Sequence, residues 1–189
     1  LNYINNNNKY IEVGATTPLT DFEIYIKKYY PDFNKILKRY GSIQIRNVAT
    51  IAGNIATASP IGDNLPLLLA LDSKVVLQGI KKSKIIPIND FFINYRKTKL
   101  KEGQFIHSIR IPIFNKNIFK AYKISKRFDD DISSVCAAFN LTIENKKIKD
   151  IKIAYGGMAA TPKRAIYCER VLLKSLITNK IIDKAKNAL

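Results

Sequence analysis

Between Gly41 and Asp63 the chain runs through small residues and turn formers without a helical period. A compact domain seldom carries so long an irregular stretch unless it has a job, so the segment reads as a functional loop, and the fold must be built by what flanks it. On its N-terminal side Lys9 to Gly14 alternates like a strand. Thr20-Asp-Phe-Glu23 then has capping-box spacing, which predicts a helix with Thr20 as N-cap and Glu23 reaching back to it. Phe22, Ile24, Tyr25, Ile26 and Tyr29 supply its apolar residues, Pro31 stops it, and Asp32 is expected to cap a second short helix through Phe33, Ile36 and Leu37. On the C-terminal side Leu65 to Leu71 reads as a turn or two of helix. Lys74 to Gly79 and Lys84 to Ile88 read as paired strands, and Phe105 to Pro112 as another.

From Ile118 the pattern changes. Strands are expected at 118–124, 134–143 and 148–155, followed by helices from about Thr161, with Pro162 in its first turn, and from about Asn179. The whole reads as α+β, with units at 1–113 and 114–189, the second a three-stranded antiparallel sheet with helices on one face.

Charge and cysteine content narrow the partners. The sequence of 189 residues has 32 Lys plus Arg against 15 Asp plus Glu, a formal charge of +17 that would ordinarily suggest nucleic acid. The lysines are scattered rather than striped with aromatics, so they read as a solvated coat with no nucleic-acid or membrane partner. No apolar run approaches the ~20 residues of a membrane span. With 2 Cys and 1 His the chain holds too few ligands for an iron–sulfur cluster or a closed zinc site. Two unpaired thiols and no signal-peptide pattern point to the cytoplasm.

Within the long loop, Thr50-Ile-Ala-Gly-Asn54 concentrates the chemistry. Gly53 permits close backbone approach, so successive N–H groups can converge on an anion such as a pyrophosphate; a tight packing turn would demand the same small residues. Thr57, Ser59 and Asn54 add neutral hydrogen-bonding groups, and Asp63 is suited to accept from a sugar hydroxyl. The segment is neither a Walker loop nor a GxGxxG turn.

The stretch from Arg46 to Asp63 resembles the second flavin-binding loop of the molybdenum hydroxylase flavoproteins, most closely that of xanthine dehydrogenase small subunits. Phe91-Phe-Ile-Asn-Tyr-Arg-Lys-Thr98, Lys123 to Ile132 and Tyr155-Gly-Gly-Met-Ala159 resemble further blocks of the same family, in the same order. The resemblance implies part of a PCMH-type FAD-binding domain followed by a unit like the CO dehydrogenase flavoprotein C-terminal domain. It implies an FAD module that receives electrons from a molybdenum cofactor through [2Fe–2S] clusters, both on other domains or subunits, and passes hydride to NAD in purine oxidation.

By the same resemblance, Thr50, Ile51, Ala52, Gly53 and Asn54 fall on the cofactor loop with Asp63 beyond it, Tyr40 on the aromatic residue stacked against the flavin, Ile106 on an apolar ring neighbour, and Lys123 on a basic one. Asp129, Asp130 and Asp131 fall on an acidic segment beside the flavin; the alternative is a solvated turn before the strand at Ser134. Phe128 departs from an arginine common in the family. Arg96 and Lys97 read either as phosphate ligands or as ion-pair partners between domains, and no residue is implied as general acid or base. The family's first Gly-rich loop has no counterpart after Leu1. That predicts apolar surface left partly uncovered around Ile11, Val13 and Phe22, and weakened FAD binding by this chain alone, with a non-catalytic remnant as the alternative reading.

Overall fold

In the computed structural model, which describes residues 1–189, the alternating segments of the first half assemble into a five-stranded antiparallel sheet. Its strands are β1 (Ile4–Asn6), β2 (Tyr10–Gly14), β3 (Lys74–Gln78), β4 (Ser83–Pro87) and β7 (Phe105–Pro112), in the order β1-β2-β7-β3-β4. Register follows the apolar alternation: Ile11 faces Ile111 and Val13 faces Ile109, which on its other side faces Val75. A small hairpin of β5 (Phe92–Asn94) and β6 (Lys97–Thr98) projects separately.

The expected uncovered surface is not there. Ile11, Val13 and Phe22 are each 0% exposed, because they share one core with Phe33, Ile51 and Leu67 from the helices α1 (Leu19–Ile26), α2 (Pro31–Lys38), α4 (Ile51–Ala56) and α5 (Asn64–Ala70).

Both helix starts differ from the capping expectation. Helix α1 begins at Leu19, directly after Pro18, and the Thr20 hydroxyl donates to Asn47 Oδ1 at 2.7 Å instead of capping. Glu23 pairs with Arg46 at 3.4 Å rather than folding back. Helix α2 starts on Pro31, whose missing N–H costs nothing there; Asp32 turns sideways to Lys35 at 2.7 Å and Lys120 at 3.1 Å.

The 41–63 segment is also not a loop throughout. It folds into α3 (Ile43–Val48) and α4, whose first turns are capped by the side chains of Ser42 and Thr50. Six residues are too few for a 3.6-residue period to declare itself, which is why the sequence reads as irregular.

The second half builds β8 (Ile118–Ile124), β9 (Val135–Glu144) and β10 (Lys147–Gly156), to which the two-residue β11 (Lys163–Arg164) adds a fourth strand; the order is β11-β10-β9-β8. The helix expected from Thr161 therefore starts later, as α6 (Ile166–Leu172), because Arg164 is drawn to Asp72 at 3.3 Å and Glu169 at 2.6 Å. Helix α7 (Asn179–Asn187) starts as expected, with Thr178 accepting from the Ile181 N–H.

Helix α5 is buried along its whole length and packs on β9 and β10, so Cys136, Ala138 and Ala154 join the core of the first half. Asn140 Nδ2 donates to the Ala70 carbonyl at 3.1 Å across that contact. At the end of β10, Gly157 holds φ +88°, and a Cβ there would lie 2.2 Å from the Ser134 carbonyl oxygen; only glycine fits. Its N–H donates to the Pro60 carbonyl at 2.8 Å, fastening the Gly-Gly turn to the segment after α4. No helix is long and apolar enough to cross a membrane.

Candidate functional site

Between the helical segment that follows α2 and strand β8 with the turn after it opens a cleft of about 470 Å³, within the range of small-molecule pockets. One wall is the stretch after α2 with the C-terminal half of α4: Tyr40, Gly41, Ile45, Asn54 and Thr57. The floor is Ser59, Ile61, Gly62 and Asp63. Lys123 and Asp130 to Ser133 form the far wall, and Arg96 enters from the tip of the β5–β6 hairpin.

Tyr40 is held by its hydroxyl, which accepts from Asn54 Nδ2 at 3.3 Å. Burial, then the charge of Asp63, pushes its phenol above the ordinary value, so it stays protonated at neutral pH. The other amide atom of Asn54, Oδ1, is buried without a partner. Buried acceptors normally find a donor. An acceptor left over in a cleft floored by small residues, beside a tyrosine ring, matches what a flavin offers: hydroxyl and ring N–H donors on a flat aromatic body.

A buried ion pair joins the floor to the far wall. Lys123 Nζ donates to Asp63 Oδ2 at 2.7 Å and to the Arg39 carbonyl at 3.0 Å, while the Ser133 hydroxyl donates to Asp63 Oδ1. The side chains of Lys123 and Asp63 are 2% and 7% exposed. Such a pair survives burial because each partner neutralises the other and the remaining lone pairs are satisfied. Both Asp63 oxygens are thus already engaged, and Lys123 is no free cation. Above it, Arg39 donates to the carbonyls of Lys123 and Phe128, each at 2.9 Å, and to Ser125 Oγ at 3.1 Å, with its guanidinium 4.4 Å from the Phe128 ring centroid. The arginine on α2's end therefore secures both flanks of the turn that leads to the acidic run.

The expected residues divide accordingly. Tyr40, Asn54, Asp63, Lys123, Asp130 and Asp131 come together in the cleft. Thr50 and Gly53 lie in the first turn of α4, where the Thr50 hydroxyl accepts from the Gly53 N–H at 2.9 Å. Ile51 and Ala52 face the core. Ile106 sits in β7 opposite Leu77, within the same core and outside the cleft lining. Asp129 borders two neighbouring hollows instead. Asp131 accepts from the Arg127 N–H at 2.8 Å, and that bond draws its carboxyl below the usual range. Sequence reasoning missed Arg39 and Ser133. Neither carries a motif; their roles exist only once β8 lies against α2.

Comparison with known proteins agrees with this architecture. Residues 1–114 match the family described as the FAD binding domain in molybdopterin dehydrogenase, and residues 120–189 the CO dehydrogenase flavoprotein C-terminal domain. The chain is 36% identical over 184 residues to xanthine dehydrogenase from Emericella nidulans, covering 90% of this chain and 14% of that one. It is 30% identical to the glyceraldehyde dehydrogenase medium chain of Sulfolobus acidocaldarius, covering 97% of this chain and 64% of the other. Among solved structures, carbon monoxide dehydrogenase from Hydrogenophaga pseudoflava superposes with a TM-score of 0.93 at 25% identity, over 98% of this chain and 66% of that one. The family matches over both halves and the shared fold define a flavoprotein module of two joined α+β units. The chain belongs to the FAD-binding family of the molybdopterin dehydrogenases, a homologue of oxidoreductase components that spans only part of the length of these relatives.

Proposed function

We propose that the chain holds FAD in the cleft beside Tyr40 and serves as the electron-transfer module of a purine-oxidising molybdenum enzyme. Electrons would enter from a molybdenum cofactor and [2Fe–2S] clusters on partner domains or subunits and leave to NAD. The observation that carries this reading is the convergence of Tyr40, Asn54, Asp63, Lys123, Asp130 and Asp131, distant in sequence, on one cleft with an unpaired acceptor in its wall. Two free, buried cysteines suit a reducing compartment such as the cytoplasm.

FAD, when bound, supplies the carrier that takes electrons from a relay and releases them as hydride. The chain's own residues bind and orient. Tyr40 offers a ring face with its hydroxyl turned to Asn54. The first turn of α4 offers backbone N–H groups to a diphosphate, with Asn54 linking that turn to the cleft. Asp63 and Lys123 act as a neutral strut that fixes the far wall rather than as a charge on the ring.

A second reading, a remnant that no longer binds FAD, is favoured by one observation: the Thr50 hydroxyl and Gly53 N–H already satisfy each other. FAD titration into the purified chain, followed by flavin fluorescence and absorbance, separates the two. Stoichiometric binding supports the flavoprotein reading, and its absence supports the remnant. In the first case Gly53→Val should lower FAD content more than turnover per bound flavin, since its Cβ would crowd Thr50 Oγ1 at 3.2 Å. Equal FAD content in variant and parent would remove the 50–54 turn from the site.

A further inference from the structure

Where α2 ends, the chain turns toward the cleft, and the carbonyls of its last turn lose their helical partners. Gly41 makes the turn at φ +53°, the left-handed conformation in which helices commonly stop. Between Lys38, the last helical residue, and that glycine stands Tyr40, whose hydroxyl is tied to Asn54 at the far end of the ring. The near end is held by Arg46, from the last turn of α3. Its Nη1 donates to the carbonyls of Lys38 at 3.2 Å, Tyr40 at 3.4 Å and Gly41 at 2.6 Å. Its Nε is buried 3.4 Å from Glu23 Oε2 of α1, and both side chains of that ion pair are only 13% exposed.

We propose that Arg46 is a positioning residue, which fixes the backbone on both sides of Tyr40 so that its ring stands in place as a face of the cleft before any ligand arrives. The inference rests on the flavin-cleft reading above and deepens it. A guanidinium suits the task because its planar fork directs donors at several acceptors at once, and because the carbonyl end of a helix favours a cation. A ring anchored at both ends loses little freedom when a flat ligand stacks on it, so the anchoring adds to affinity without a contact of its own. Arg46 does not line the cleft. A direct grip on an anion is disfavoured as well, since its Nη1 and Nε already face carbonyl and carboxylate oxygens.

The test uses the full chain with 13C-labelled tyrosine rings and takes two readings. Without FAD, the Tyr40 ring signal in NMR spectra, assigned by its loss in Tyr40→Phe, should be sharp in the parent and shifted or broadened in Arg46→Ala; an unchanged signal overturns the proposal. With FAD, titration followed by flavin fluorescence should show Arg46→Ala weakening binding about tenfold or more. In a Tyr40→Leu background the same substitution should cost about threefold or less, because an effect exerted through the ring disappears with the ring. Equal losses in the two backgrounds overturn the proposal, by making Arg46 a direct contact or a general support of the fold. Arg46→Lys should recover part of the affinity. Should Arg46→Ala fail to fold, Glu23→Gln, which frees the guanidinium from its carboxylate, is read in the same two ways with a smaller loss expected. A parent that binds no FAD fails the flavin reading separately, and the ring signal then decides whether Arg46 holds Tyr40.

Discussion

Asp63 and Lys123 show how one ion pair can be structural and site-forming together. Removing either partner leaves the other charge buried without compensation, which typically costs about 3–5 kcal/mol. Lys123→Met is therefore expected to lower the unfolding free energy of the chain by that order, measured by urea denaturation. Pairing it with Asp63→Leu should restore much of the loss, because the double variant buries no charge. A double variant as unstable as the sum of the singles would mean that the pair does not act as a unit. The acid in this pair was legible in the sequence as a residue of interest, but its role was not. From composition Asp63 is a hydroxyl acceptor; only when β8 crosses beneath α2 does it meet Lys123 and Ser133, 60 and 70 residues away.

At the scale of elements, Asp32 ties α2 to β8. Burial alone would raise its pKa, but the hydrogen bonds from Lys35 and Lys120 outweigh that and hold the carboxyl below its ordinary 3.8. The stabilisation is full above the ordinary value and is lost as pH falls through the lowered one. Asp32→Asn should thus cost about 1 kcal/mol or less at neutral pH, since both lysines are largely solvated. It should also flatten the loss of stability below pH ~4 seen in thermal melts of the parent; an unchanged acid slope would show that Asp32 is not paired in solution. Long strands were readable, because alternation at 105–112 and 118–124 records which face is buried. Short elements were not. Helices α3 and α4 carry their signal in Ser42 and Thr50 rather than in periodicity, and the capping box at Thr20 was overridden by Pro18 and by Asn47. Strand β11 is only two residues, too short for any alternation, and its Arg164 meets the distant Asp72.

Across the whole molecule, the two sheets share a core through α5, so they are not expected to behave as separate folding units. Thermal unfolding followed by far-UV and near-UV circular dichroism should give one coincident transition, and a chain truncated after Ile113 should lose it, because the face of α5 that meets β9 and β10 would be bared. Two separated transitions in the intact chain would refute the shared core. The arrangement also bears on how the protein keeps to itself. Strand β8 is the outermost of its sheet, with one edge unpaired by any strand. An open edge of that kind is a template onto which a strand from another molecule can add. On that edge the Lys123 carbonyl is already taken by the Arg39 guanidinium at 2.9 Å, while the Lys123 ammonium is buried against Asp63. A foreign strand would have to pull Arg39 off that carbonyl, and with it the bonds Arg39 makes to Phe128 and Ser125, to pair along it. The arginine that secures the turn to the acidic run thus also makes the edge a poor seed for aggregation.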